Sequence, residues 1–356
     1  MSLIPFLRKN EPLLSVDIGS TSIKCLEFDV RLDKPKLLNI AMAPITPDVF
    51  SGYAITNTQK VADQIRNILE SNSIQPKRVV TAMSAPGVFS KKILIERIDP
   101  AEVKSYMEME AQNIVPHSID AVRMDYHIIG ETEAGQLEVL VVAVKNEVVD
   151  SYLETFELSG MEVAVVDVDY FALQNMFELN YPDFLNKTTA LINVGSRYSS
   201  INICKDGNSI FTGDMSVGGK SLTDALVEDA GLSIEDAEKI KRTPDLDTPE
   251  LESVKSVVES SVENIASEFN RQLSLFWNSS ATEGSIDKIF ITGGGSQVAA
   301  LKTAIKAKTD VDCEVLNPFI NISHDDTFDE EYLKNIAPFV GVAVGLGIRQ
   351  AGDKES

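Results

Sequence analysis

Asp17-Ile18-Gly19-Ser20-Thr21-Ser22-Ile23-Lys24 decides the fold, because the chain uses the same device twice. This stretch follows the apolar run Leu13-Leu14-Ser15-Val16. Far downstream, Asn193-Val194-Gly195-Ser196-Arg197-Tyr198-Ser199-Ser200 follows Ala190-Leu191-Ile192. Each reads as a buried strand, a tight Gly/Ser turn and a second strand, at 23–30 in the first copy and 200–205 in the second. A turn of small residues gathers several backbone N–H groups at one point, and such a nest binds phosphate oxygens. Glycine is required there because the missing Cβ permits positive φ and close approach to a ligand. Two such turns, facing each other from two similar halves, make a phosphate clamp.

The rest of the composition is consistent with two halves. A chain of 356 residues, 44% of them apolar, can bury at least two cores. A net charge of −22 argues against duplex nucleic acid or an anionic membrane as the main partner, since both are polyanions. It suits a basic partner, or simply keeps the protein in solution. Cys25, Cys204 and Cys313 have neither metal nor redox spacing and read as reduced thiols of a cytosol. The apolar residues 3–7 are too few for a secretory signal, although they could touch a membrane or partner. The longest apolar run, 336–348, is short and contains Pro338, so it predicts a buried helix rather than a membrane span. A cytoplasmic protein is expected.

Along the first half, periodicity predicts a third strand at 36–43 and a helix from about 58 with Val61, Ile65, Ile68 and Leu69 on one face. A strand at 78–84 follows. The pattern then changes to a strand at 92–97, a helix opened by Asp99-Pro100 with Glu102 behind them, and strands at about 124–129 and 137–144. Asn146 is read as the cap of a helix ended by Gly160. A strand at 161–166 and a helix at 169–179 lead into the second half. There the hairpin at 190–205 turns at Asp206-Gly207 into a strand at 209–214. Gly218-Gly219 precede a helix at 222–229, an acidic stretch covers 233–250, and a long helix runs from about 252 to 278. A strand at 288–292, helix at 298–308, strand at 313–316 and helix at 335–349 close the chain. The same order used twice predicts two mixed-sheet α/β lobes. We place the first at 11–183, with an inserted subdomain at about 86–145. The second covers 184–350, with a helical subdomain at about 219–282.

Lys24, on the strand leaving the first turn, can meet terminal phosphates as a point charge, though alone it would read as a solvated strand lysine. Gly293-Gly294-Gly295-Ser296 set N–H groups where a helix opens, an anion or ribose site. A dinucleotide fingerprint, pairing Gly293 and Gly295 with Glu314 about twenty residues on, is rejected. Its βαβ unit would have to begin in the last quarter of the chain.

These segments, with the closing Ala337-Pro338-Phe339-Val340-Gly341-Val342-Ala343-Val344-Gly345, resemble the phosphate-1, phosphate-2, adenosine and connector motifs of the actin-like ATPase superfamily. Within it the chain is most similar to the PilM family of the type IV pilus inner-membrane platform. That similarity rests on Glu108-Met109-Glu110-Ala111-Gln112-Asn113-Ile114-Val115-Pro116, Asp125-Tyr126, Val141-Val142-Ala143-Val144 and the run from Val165 to Leu173. The resemblance implies an actin-like fold, α/β, with mixed five-stranded sheets in two lobes and a nucleotide cleft between them. It also implies a small α+β insert in the first lobe.

What it implies for ATP and Mg²⁺ can be placed residue by residue. Asp17, Gly19, Ser20, Thr21, Ser22 and Lys24 would line the phosphates, with Asp17 on the metal. Asn193, Gly195, Ser196, Arg197 and Tyr198, backed by Gly218 and Gly219, would close the other side. Gly293, Gly294, Gly295 and Ser296 would hold the ribose and adenine edge, and Glu268 and Arg271 match the family's adenine-side Glu…Arg pair; an exposed helix pair is the alternative. Asn193 stands where the superfamily usually carries a second aspartate, and an amide cannot supply that charge. Asp169 and Gln174 are near only in sequence, so no catalytic base is assigned, and ATP binding with little or no turnover is expected.

The insert would receive the N-terminal tail of the membrane protein PilN, which would suit an acidic groove, with Ile114, Val115 and Pro116 as candidate groove wall. A buried loop after a helix is the competing reading of those three residues. Other pilus platform proteins and the pilus motor ATPases are further partners implied by the resemblance, at the inner face of the inner membrane. Two alternatives differ in class: an FtsA-like membrane-attached filament former, which needs a C-terminal amphipathic helix, and a small-molecule kinase, which needs a carboxylate base. Residues 350–356 are short and polar, which weighs against the first.

Overall fold

The computed structural model describes residues 13–350 except 33, 76–77, 244–245, 247, 249–250 and 280–284. The apolar residues 3–7 and the last six residues therefore lie outside the described part. In the first half, β1 (Leu14–Ile18), β2 (Ser22–Asp29) and β3 (Lys36–Pro44) are followed by a small hairpin, β4 (Phe50–Ser51) and β5 (Ala54–Ile55). Helix α1 (Thr58–Ser71) and strand β6 (Arg78–Met83) come next. The insert then contributes β7 (Val88–Ile95), α2 (Pro100–Ile114), β8 (Val122–Glu131) and β9 (Leu137–Lys145). Helix α3 (Asn146–Leu158), strand β10 (Glu162–Val168) and helix α4 (Asp169–Asn180) return to the lobe.

The second half repeats the plan with β11 (Thr189–Val194), β12 (Ser199–Lys205) and β13 (Asn208–Met215). Helices α5 (Gly219–Glu228), α6 (Ile234–Ile240) and α7 (Glu252–Ser279) precede β14 (Lys288–Thr292), α8 (Leu301–Thr309) and β15 (Cys313–Val315). Two short helices, α9 (Glu330–Ile336) and α10 (Gly341–Gly347), end it.

The sheet orders are β10-β6-β1-β2-β3 and β13-β12-β11-β14-β15. In both, the hairpin strand at the centre pairs antiparallel with its successor and parallel with the strand reached through helices. β1 and β11 are therefore covered on both faces, which explains why they read as continuous apolar runs rather than alternating ones. Helix α1 buries Val61, Ile65 and Ile68, the expected stripe, and its Asn57 side chain accepts from the Lys60 N–H as cap.

One core fills the first lobe and another the second, but a third belongs to both. It joins Leu26 and Phe28 of the first sheet to Leu191 and Phe290 of the second through Leu173 and Phe177 of α4 and Val344 and Leu346 of α10. The buried Ser15 hydroxyl on β1 also donates to the Ala343 carbonyl, 2.6 Å away, so β1 is tied directly to α10. Crossing α4 and α10 thus form the floor on which the two sheets meet.

Several local expectations need correction. Asn146 is the first residue of α3, not its cap, and its amide donates instead to the Asp120 carbonyl in the insert. The insert's first strand begins at Val88, four residues before the expected Lys92, directly after the 3-10 turn at Ala85–Gly87. The closing helix is broken into α9, a 3-10 turn at Ala337–Phe339 and α10, as Pro338 cannot continue a helix. Val298 ends a 3-10 turn (Gly294–Gln297) rather than opening α8.

Candidate functional site between the lobes

The two Gly/Ser turns close in the same way. The Gly19 N–H donates to the Ser22 carbonyl at 3.0 Å, and the Gly195 N–H to the Tyr198 carbonyl at 3.0 Å. Both turns line one cavity of about 440 Å³ between the lobes. Asp17, Gly19, Ser20, Thr21, Ser22 and Lys24 reach it from the first lobe; Asn193, Gly195, Ser196, Arg197 and Tyr198 reach it from the second. Asp17 and Lys24 are cross-strand partners in the β1–β2 register, which brings the Lys24 ammonium to 2.9 Å from the Asp17 carboxylate.

Gly219, Gly293, Gly294 and Gly295 line the same cavity. Gly293 has φ +84°, and a Cβ there would fall 2.6 Å from the Asn193 side-chain oxygen, so the position tolerates only glycine. Gly218 and Ser296 do not line the cavity. A Cβ at Gly218 would strike the Ser196 and Gly195 carbonyls at 2.5 and 2.6 Å, so its bareness lets α5 dock on the second turn. There the Gly219 and Lys220 N–H groups donate to Gly195 and Ser196, both at 2.9 Å. The buried Ser296 hydroxyl donates to the Gly293 carbonyl at 2.7 Å and shapes the glycine turn from behind.

Glu268 and Arg271 are absent from the cavity lining. They pair with one another on α7, where Arg271 is exposed, as an ordinary i,i+3 helix pair does. Glu238, Lys241 and Arg242, on and just after α6, line the cavity instead. Lys241 is buried, and its ammonium donates to Thr223 at 2.9 Å and to Glu238 at 2.8 Å. Sequence reading passed over them because they sit in an acidic stretch to which it gave no site role. Two cations directly in sequence with an acid at i,i+3, inside a run of carboxylates, were the available signal.

Asp169 was also missed as a site residue. It opens α4 and lines the same cavity as the first turn. Its Oδ1 has no hydrogen-bond partner. Burial, with the nearby Asp17 charge adding to it against N–H bonds from Ala85 and Tyr170, pushes its carboxyl up to about 7. Burial likewise raises Tyr152, a neighbour in the cavity wall. Gln174 points elsewhere: its amide donates to Glu178 and to the Gly207 carbonyl.

A second groove of about 530 Å³ lies where the β4–β5 hairpin meets the insert. Gly52, Tyr53, Pro86, Gly87, Phe89 and His117 are among its walls, and Lys145 and Glu147 are its charged members. Of the expected wall residues, Val115 is core, 4% exposed among Val103, Met107 and Val139. Ile114 packs on that core and Pro116 is exposed, while the next residue, His117, is the one that reaches the groove.

The family model of the type IV pilus assembly protein PilM matches residues 15–351. The chain belongs to the PilM family. Among solved structures, a PilM–PilN type IV pilus biogenesis complex is similar over 96% of this chain and 98% of that one, at 23% identity and TM-score 0.85. The ethanolamine utilization protein EutJ from Carboxydothermus hydrogenoformans is similar over 95% and 89%, at 13% identity and TM-score 0.56. MreB 5 of Spiroplasma citri bound to AMPPNP is similar over 97% and 96%, at 10% identity and TM-score 0.53. At these identities the likeness carries the fold, which is that of the actin-like ATPases. Among the described residues, no helix of this PilM-family chain is long and apolar enough to cross a membrane.

Proposed function

We propose that this PilM-family protein is a nucleotide-binding scaffold of type IV pilus assembly that holds ATP with Mg²⁺ between its lobes and docks the N-terminal tail of PilN. The observation that carries the reading is the pair of identically closed Gly/Ser turns lining one cavity from opposite sheets. Their N–H groups and the Lys24 ammonium would meet the phosphates. The Gly293–Gly295 turn, with Glu238, Lys241 and Arg242, would take the ribose and base. That assignment replaces Glu268 and Arg271.

The residues fit a magnesium ion of the kind nucleotides carry. Among the described residues no group of three or more acidic, histidine or cysteine side chains forms a cage. Mg²⁺ in such sites is held by one or two carboxylates together with phosphates and water. Asp17 and Asp169, whose Oδ1 is unpartnered, are the two aspartates in the cavity wall; the third carboxylate there, Glu238, already accepts from Lys241 and Thr223. Bound there, the ion would neutralise phosphate charge. Asn193 supplies an amide rather than a carboxylate on the second turn, so turnover is expected to be slow or absent. Asp169 is the group able to accept a proton from water at that end.

The PilN tail is assigned to the groove between hairpin and insert. Tyr53, Val88, Phe89, Ala143 and Val148 stand among its walls, and its one lysine and one glutamate offset each other, so apolar anchors, more than charge, would give the affinity. Titration of the purified protein with a fluorescent ATP analogue, with and without Mg²⁺, tests the first half of the reading. Gly293→Val should abolish the signal. A wild-type protein that binds no nucleotide at millimolar concentration would remove the reading. Calorimetry with a synthetic PilN tail, against Phe89→Ala, tests the second half.

A further inference from the structure

Tyr53 lines both cavities. It sits at the tip of the β4–β5 hairpin, where Gly52, at φ +58°, occupies the first position of a two-residue turn. The base of this hairpin is anchored in the first lobe. Ile55 is buried, and its N–H donates to the Ser151 hydroxyl of α3 at 3.0 Å. The Tyr53 ring crosses the cleft to Tyr198 of the second lobe's turn, with centroids 5.3 Å apart and planes inclined by 53°. Tyr198 is itself held by Arg197, whose guanidinium lies 5.1 Å over the ring and donates to the phenol oxygen at 3.2 Å. On its other side Tyr53 packs against Gly87 at the root of the insert. A Cβ at Gly87 would come within 3.1 Å of the Tyr53 Cβ and Cγ.

We propose that Tyr53 is the coupling element through which nucleotide in the cleft and peptide in the groove set each other's affinity. This rests on the assignment of those two ligands above. The physical reason is lack of slack. A ligand that draws the Gly195–Tyr198 turn toward it moves Tyr198, and the Tyr53 ring must follow or lose its contact. The hairpin base cannot answer, because it is bonded to α3. Gly87 leaves no room behind the ring, so the displacement passes to the groove rim. A second bridge between the insert and the second lobe, Ser90 to Thr212 at 3.0 Å, lies on β7 and β13 and touches neither ring. It serves as the internal control.

Coupling of this kind is reciprocal, and typical coupling factors run from roughly 5-fold to 150-fold. The test titrates the full chain with mant-ATP and Mg²⁺, with and without saturating synthetic PilN tail, and then in reverse. In the wild type each ligand should change the other's Kd by the same factor, at least about fivefold. In Tyr53→Ala the factor should fall to near one, whatever happens to either affinity alone. Tyr53→Phe should restore it, and Thr212→Val should leave it unchanged. Gly87→Ala, which pushes on Tyr53 from the groove side, should shift nucleotide affinity with no peptide present, although Gly87 does not line the nucleotide cavity. A wild-type protein that binds both ligands independently, or a Tyr53→Ala protein with full coupling and a silent Gly87→Ala, would overturn the proposal while leaving the two sites standing. Failure of the wild type to bind either ligand would instead sink the functional reading and this proposal with it.

Discussion

Replacing Gly345 by alanine should be among the most damaging single methyl additions the chain can suffer. Gly345 lies in α10 where it crosses α4, and a Cβ there would overlap the Ala172 carbonyl oxygen and come within 2.5 Å of its carbon. Carbon atoms in contact sit at about 3.5–4.0 Å, so the helices would have to separate by about 1 Å or more. No side chain can rotate away, because the obstacle is backbone. Overpacking costs about 1–3 kcal/mol and occasionally more, and this geometry belongs at the upper end. A buried methyl returns only about 0.8 kcal/mol. At about 2.1 cal/mol/K of unfolding entropy per residue, a chain of 356 residues shifts its midpoint by about 1.3 °C per kcal/mol, so Gly345→Ala should melt roughly 3–5 °C below wild type. Because the displaced helices are the floor shared by both lobes, nucleotide affinity should fall with stability. Gly130→Ala on β8 is the matched control, since a Cβ there meets nothing within 4 Å. It should melt within about 1 °C of wild type. A Gly345→Ala protein that melts beside this control in differential scanning calorimetry would refute the close crossing and the shared floor built on it.

Other outcomes follow from the cavity. The Asp169 carboxyl is raised to about 7 by burial, so the folded state holds its proton over a pH range where the unfolded state has released it. Its contribution to stability is present at low pH and is lost as pH rises toward 7; Asp169→Asn should flatten the urea-midpoint profile between about pH 4 and 7, and an unchanged profile would count against a buried acid. Lys241→Ala should weaken nucleotide binding roughly tenfold or more, as expected for losing a hydrogen bond from a charged donor, whereas Arg271→Ala should leave affinity within about twofold; the reverse order in a mant-ATP titration would return the site to α7. Val115→Asp should unfold the insert, seen as loss of protection in hydrogen exchange, while Pro116→Ala changes little; equal effects would contradict the burial of Val115.

The repeated strand–turn–strand pattern was legible in the sequence because its causes are local. Continuous apolar runs mark strands covered on both faces, and glycine marks turns whose N–H groups converge. The duplication and the two Gly/Ser turns therefore came from the chain alone, as did α1 and the start of α2, whereas the five strands of each sheet were implied by the family resemblance. What only tertiary structure decided was which distant side chains meet. Glu238, Lys241 and Arg242 belong to the cavity because α5 docks on the Gly195 turn and carries α6 with it. Asp169 belongs because α4 begins at the floor shared by both sheets. Glu268 and Arg271 have suitable chemistry but sit on the wrong face of α7, and Val115 ends a helix inside a core rather than beside a groove. Chain spacing along one element is set by backbone geometry and can be counted; proximity between elements is set by how their apolar faces pack, and no count along the sequence supplies it.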